Sequence, residues 1–314
     1  MKKTIKTGTY GAIGTLTILI GGCGGGGGGG SSTVTLTPFT TISSITAGQT
    51  IYASGQSVET TWTGSTTAIT SVAAPSAVTT ATTVTGTYSS STGILNKLVI
   101  ATPISTTTFD SSAGATFGTL VGQSNVGAVV NSGSTAFAVY PMYPYTTYGW
   151  NYQTFGVWET GRGTGSGTGG AVSLGVTTAA TALPTSGSAT YTGYTGGAYI
   201  NTTGSLDYLT TSSATLAANF ATRSIAFSTT GTVIALPSSP GTTTANTNLN
   251  LSGTLSYSSG VNGFSGTVAT TGGTLSGTAT GRFYGPLYNE VGGVFFTTPT
   301  SGVERYAGAF GAKR

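Results

Sequence analysis

Residues 249–257 read Leu-Asn-Leu-Ser-Gly-Thr-Leu-Ser-Tyr, an apolar or small residue at every second position with Asn, Ser or Thr between. A period of two puts one set of side chains on each face of an extended strand, whereas an amphipathic helix needs a period of 3.6. The pattern returns at Ala214, Leu216, Ala218 and Phe220, and Arg223-Ser224-Ile225-Ala226-Phe227-Ser228 follows closely enough to be the next strand of a meander. Phe264, Gly266 and Val268 precede a Gly272-Gly273 turn, beyond which Leu275, Gly277, Ala279, Gly281 and Phe283 share one face. Composition agrees, since only 5% of residues are charged and the Ala, Leu, Glu and Lys runs of long helices are missing, while 16 Tyr, 12 Phe and 3 Trp supply area to bury. The fold class is therefore all-β.

Adding residues 153–158, 189–200, 291–296 and 305–310 brings the total to about eight or nine strands, which suits an eight-stranded antiparallel up-and-down barrel over residues 149–314. Glycines recurring on its expected inner face would let strands bend and let large side chains sit beside small ones. Residues 34–148 show shorter, less regular extended segments at 34–36, 50–52, 60–62, 98–100 and 135–140, separated by Gly, Ser, Asn and Pro. This half reads as a small, irregular β domain.

The N-terminus carries a targeting signal. Lys2, Lys3 and Lys6 precede an apolar stretch at 12–20 that is too short to span a bilayer as a mature helix, the pattern of a signal peptide over residues 1–22. Ile20-Gly21-Gly22-Cys23 resembles a bacterial lipobox, and Cys23, the only cysteine, stands where acyl chains are attached. Residues 24–30 are all glycine and Ser31 and Ser32 follow, so residues 23–33 read as a lipidated cysteine and a tether. In the usual sorting pattern an Asp after the cysteine retains a lipoprotein at the inner membrane; Gly24 stands there instead, which favours the outer membrane. Without residues 1–22, seven Lys and Arg face six Asp and Glu. No basic stripe remains to suggest a nucleic-acid partner.

The most specific motif is Gly281-Arg282-Phe283-Tyr284-Gly285-Pro286-Leu287-Tyr288-Asn289-Glu290-Val291-Gly292-Gly293. It resembles the G-x-F-Y-G-P-x-A-x-E-x-G-G motif near the end of the barrel domain in transferrin-binding protein B and related surface lipoproteins. Gly308-Ala309-Phe310-Gly311-Ala312-Lys313 is similar to that family's ending, Tyr152-Gln153-Thr154-Phe155-Gly156-Val157-Trp158 resembles its first barrel strand, and Asn219-Phe220 sits where an acidic or amide residue before Phe is typical. The resemblance implies a barrel preceded by a handle domain over 34–148. Leu287-Tyr288 departs from the small residue the motif expects. The chain has room for one lobe where transferrin receptors of this type have two, so transferrin binding does not carry over. Read from the residues alone, Tyr284-Gly285-Pro286 is a turn, with Pro fixing φ and Gly permitting close approach. Glu290 is placed to accept from backbone N–H groups or to pair with Arg282 or Arg305.

Chemistry is sparse. The chain contains no histidine, which removes Ser-His and Cys-His nucleophile pairs and His-based metal sites. Glu59, Asp110, Glu159, Asp207, Glu290 and Glu304 are scattered without a pairing motif. Residues 161–170 are glycine-rich but lack the Gly-Lys-Ser/Thr ending of a phosphate loop, and read as a loop between barrel strands. No catalytic residue, metal or cofactor is expected. Tyr140, Tyr143, Tyr145, Tyr148, Trp150, Tyr152, Phe155 and Trp158 crowd one stretch. Such residues either form a binding surface or cement the handle onto the barrel; as a binding surface the candidates are Tyr143, Tyr145, Tyr148 and Trp150. The expected function is a non-catalytic, outer-membrane, surface-exposed lipoprotein that binds a protein or solute through loops of its lobe. An integral outer-membrane barrel and a passive structural surface protein are the alternatives.

Overall fold

The computed structural model describes residues 36–91, 95–119, 127–130, 136–140, 150–161, 163–204, 207–236 and 242–314. Cys23 and the signal segment, together with Tyr143, Tyr145 and Tyr148, lie outside these residues.

The first sheet contains β1 (Leu36–Pro38), β2 (Thr50–Gly64), β3 (Ile69–Val72), β4 (Thr79–Tyr88), β5 (Leu95–Ala101), β6 (Thr106–Asp110), β7 (Thr116–Thr119), β8 (Gly127–Val130), β9 (Ala136–Tyr140), β10 (Gln153–Glu159) and β11 (Ser166–Gly175). Its order is β6-β5-β4-β2-β11-β10-β9-β8-β7, with β1 and β3 also on β2. The two edge strands, β6 and β7, are consecutive in the chain and joined through a 3-10 turn at Ser111–Ala113, so the sheet is curled into an open half-barrel. Ile42, Ile51, Val84, Leu98, Phe109, Trp158 and Val172 fill its concave side. Beneath the rim, the buried carboxylate of Glu59 accepts from the Thr102 and Ser105 hydroxyls and pins the β5–β6 hairpin.

The second sheet closes. Strands β12 (Ser188–Ile200), β13 (Asp207–Asn219), β14 (Ser224–Ala235), β16 (Leu251–Tyr257), β17 (Phe264–Thr270), β18 (Ser276–Tyr284), β19 (Glu290–Thr298) and β20 (Arg305–Lys313) pair in sequence, β20 returning to β12; the short β15 (Thr243–Ala245) extends the edge of β14. Eight antiparallel strands thus form the expected barrel. Its interior is packed with Tyr191, Leu216, Phe227, Leu255, Phe264, Phe283, Phe295 and Phe310. Gly281 and Gly308 make room for large rings there: a Cβ on either would come within 2.5 Å of Phe264 or Phe295 respectively. The alternating partners of the core residues, among them Ser252, Thr254, Ser265, Thr267 and Thr278, face outward and are exposed. A barrel crossing a membrane carries the opposite polarity, apolar outside and polar within. The alternative of an integral outer-membrane barrel does not fit this wall.

Two sequence expectations change. Residues 153–158 are not a barrel strand: β10 pairs with β9 and β11 in the handle sheet. Six of its seven residues are buried, Phe155 and Val157 toward the barrel and Trp158 toward the handle core. A strand covered on both faces loses the alternation that would have revealed its sheet. Residues 161–170 are not merely a loop either, because β11 begins at Ser166, after a turn in which Gly161, Gly163 and Gly165 take φ of +73°, +71° and +92° and Thr164 donates back to the Gly161 carbonyl. Gly167 and Gly170 lie in the strand because the Trp62 and Trp158 rings cover them; an added Cβ would meet those rings at 2.6 and 2.2 Å.

Candidate functional site

Handle and barrel meet along a dry seam of Val58, Trp150, Phe155, Val157, Ala171, Val294, Phe296 and Ala309. The conspicuous motif of the sequence lies along its rim, and each part has a contact that explains it. The Glu290 carboxylate accepts the backbone N–H of Asn151 at 2.6 Å and of Tyr152 at 3.0 Å, capping the handle strand where β10 begins. It makes no ion pair with Arg282 or Arg305 within the described residues; Arg305 instead donates to the carbonyls of Gly302, Glu304 and Val72. Burial pushes the Glu290 carboxyl up to about 7, against the opposing pull of the backbone N–H groups and of Lys313.

From the handle side Gln153, fully buried, donates through Nε2 to the carbonyls of Val291 at 2.6 Å and Ala312 at 3.2 Å, bridging two barrel strands. Gly292 and Gly311 face it across the seam. A Cβ on Gly292 would stand 2.0 Å from Gln153 Oε1, and one on Gly311 2.5 Å from the Phe155 ring. These two glycines therefore serve the outer wall where the handle docks, whereas Gly281, expected on the inner face, does make room for a ring in the barrel interior. The Tyr284 hydroxyl hydrogen-bonds Ser173 Oγ at 3.0 Å, and Gly285, at φ +81°, tucks under the Tyr152 ring. Asn262 completes the corner, donating to the carbonyls of Thr178 and Phe283 and accepting the Phe283 N–H. The departing pair has its own role: Tyr288 packs edge-on against Phe220, 5.4 Å between centroids, under the Arg314 guanidinium at 4.1 Å.

Beside the seam, on the outer wall of β12, β13 and β20, is a groove of about 410 Å³ lined by Trp150, Thr192, Tyr194, Ser213, Thr215 and Lys313. Trp150, the one expected binding residue that is described, is 1% exposed and forms part of the wall; Tyr194, 37% exposed, meets it edge-on with centroids 6.3 Å apart. Trp150 also packs on Phe155 at 5.4 Å, so the aromatic run acts as cement at this end. The groove offers the Tyr194 ring and hydroxyl, the edge of Trp150, the hydroxyls of Thr192, Ser213 and Thr215 and one ammonium, a lining suited to an apolar body with a polar or anionic end. Sequence reading missed Tyr194 and Lys313. The signal was present for Tyr194, since Tyr191 and Tyr194 differ by an odd number and must lie on opposite faces of one strand.

The architecture is that of a lobe in which a curled handle sheet is welded to a closed barrel. Residues 183–314 match the family of C-lobe and N-lobe beta barrels of Tf-binding protein B. Among solved structures, the isotype 1 transferrin binding protein B from serogroup B Neisseria meningitidis is 16% identical, with 76% of this chain and 53% of that chain covered and a TM-score of 0.42. A transferrin binding protein B variant from Haemophilus parasuis Hp5 is 17% identical over 68% of this chain and 40% of its own, with a TM-score of 0.39. A surface lipoprotein is 12% identical over 82% of this chain and 98% of its own, with a TM-score of 0.41. The chain spans about half the length of the two transferrin binding proteins. A search of curated proteins finds no match.

Proposed function

We propose that the protein is a lipoprotein attached through acylated Cys23 to the outer membrane and displayed at the cell surface. There it binds a protein or small solute without catalysis. The observation that carries this reading is the match of residues 183–314 to the barrels of Tf-binding protein B, combined with the lipobox-like Ile20-Gly21-Gly22-Cys23 in the same chain. Binding is assigned to the Trp150–Tyr194–Lys313 groove together with Tyr143, Tyr145 and Tyr148, which shortly precede Trp150 in the sequence. Aromatic side chains with polar tips beside an ammonium suit such recognition. Transferrin itself is not carried over to this chain, which spans about half the length of the two transferrin binding proteins.

Broad-specificity protease applied to intact cells is expected to release peptides from the exposed hairpin at residues 102–105, and a Cys23→Ala variant is expected to lose that release through mislocalisation. Cleavage seen only after permeabilising the outer membrane would place the body in the periplasm and contradict surface display.

A further inference from the structure

The strand register shows from which end the chain reaches the folded body. At the seam, Gly55 of β2 lies opposite Leu174 near the end of β11, and Thr50 projects five residues farther in the same direction. Leu36 pairs with Thr50 in parallel, so residues before Leu36 arrive from that end. The 3-10 turn that follows is tied to the same place, the N–H of Ile42 donating to the Asn151 carbonyl beside Glu290. On the barrel, this pole holds the β13–β14, β16–β17 and β18–β19 hairpins and the C-terminus.

The pole is chemically unlike the rest of the surface. Arg223, Lys313 and Arg314 are exposed on it. Glu290, at this barrel rim, is buried and turned inward onto Asn151 and Tyr152, and Asp110, at the same end of the handle, is neutralised by Lys97 at 2.9 Å, whereas Asp207 and Glu304 belong to the opposite pole by register. Interleaved with the cations are Leu287, Val261 and Val176, which are 59, 48 and 37% exposed, half of the large apolar side chains that stand out from the described surface. Hydrogen bonds hold their loops as one surface: the Gly285 N–H donates to the Val176 carbonyl at 2.8 Å, Asn262 to Thr178 at 2.6 Å, and the Arg314 guanidinium to the Leu287 carbonyl at 2.9 Å.

We infer that this pole is apposed to a lipid surface with anionic headgroups, Arg223 and Arg314 against the headgroups and Leu287, Val261 and Val176 at the acyl boundary. The combination of exposed cations and isolated apolar side chains is the one that interfacial binding uses. The inference rests on the proposed acylation of Cys23. Thirteen positions separate Cys23 from Leu36, and such a segment spans at most about 45 Å. The tether therefore joins the body at this pole and not at the opposite one. The opposite pole would face outward.

The test uses the full-length acylated protein in vesicles of phosphatidylcholine and phosphatidylglycerol, with an environment-sensitive dye on a single introduced cysteine, Leu287→Cys or Ser301→Cys, the latter in the loop at the opposite pole. The Leu287→Cys dye is expected to be blue-shifted and quenched several-fold more by headgroup-attached spin label than the Ser301→Cys dye. The contrast should shrink with Arg223→Ser and Arg314→Ser combined, or in pure phosphatidylcholine. Equal quenching of both dyes on protein that floats with the vesicles would overturn the inference while leaving anchoring intact. Protein that fails to float would remove the anchoring reading and the inference with it.

Discussion

Gly292→Ala is expected to destabilise the whole lobe by about 2–3 kcal/mol, a fall in Tm of roughly 5–10 °C. One methyl group suffices because its nearest neighbour, Gln153 Oε1 at 2.0 Å, cannot simply swing away. That side chain is buried and fastened through Nε2 to Val291 and Ala312, so making room means breaking hydrogen bonds inside a dry seam or parting the handle from the barrel. Gly263→Ala is the matched control. Gly263 has no positive φ and its nearest neighbour to an added Cβ is 3.9 Å away, so the stability of this variant should stay within about 0.5 kcal/mol of wild type, as is usual for surface changes. Thermal melts of the three proteins side by side check both statements; equal Tm for Gly292→Ala and wild type would mean that the handle does not press on that wall.

Glu290→Ala should be similarly costly, about 2–4 kcal/mol at acidic pH, because two backbone N–H groups lose their acceptor in a buried place. The carboxyl also gives the seam a pH dependence of definite sign. Burial raises its folded-state value from 4.5 to about 7, so the folded protein holds a proton that the unfolded chain releases. The corresponding stability is fully present below about pH 4.5 and is lost as pH rises through about 7, an effect of up to about 3 kcal/mol. Wild-type Tm is therefore expected to decline between pH 5 and pH 8, and Glu290→Gln, neutral throughout, should flatten that decline while keeping one acceptor in place. A wild-type slope unchanged by the Gln substitution would assign the titration to another group.

The barrel was legible in the sequence because its strands bury one face only. Leu251, Leu255, Phe264, Val268, Ala279 and Phe283 all reach the core from the alternation that predicted them. The handle was harder for three physical reasons. β4 reads Thr-Thr-Ala-Thr-Thr-Val-Thr-Gly-Thr-Tyr, and its inward positions include Thr82, which is buried against the Ser57 hydroxyl, so hydrophobicity does not mark the face. β10 is covered on both sides and carries no alternation. β11 opens with glycines that look like a loop until the Trp62 and Trp158 rings are seen to lie on them. The motif around Glu290 was recognised as conformational, but the partners of Glu290 and Gly292, namely Asn151, Tyr152 and Gln153, lie almost 140 residues away in sequence. No local rule could pair them. Of the expected binding residues, Trp150 proves to be mostly buried cement whose edge lines the groove, and it was Tyr194, an outward aromatic on a barrel strand, that the aromatic run overshadowed.

The central claim is that the motif welds handle and barrel into a single lobe, and scanning calorimetry of the full chain tests it most directly. One transition with matching calorimetric and van't Hoff enthalpies is expected, shifted as a whole by Gly292→Ala. Two separate transitions, with Gly292→Ala moving at most one of them, would show that the two sheets fold independently and that the seam is only a contact.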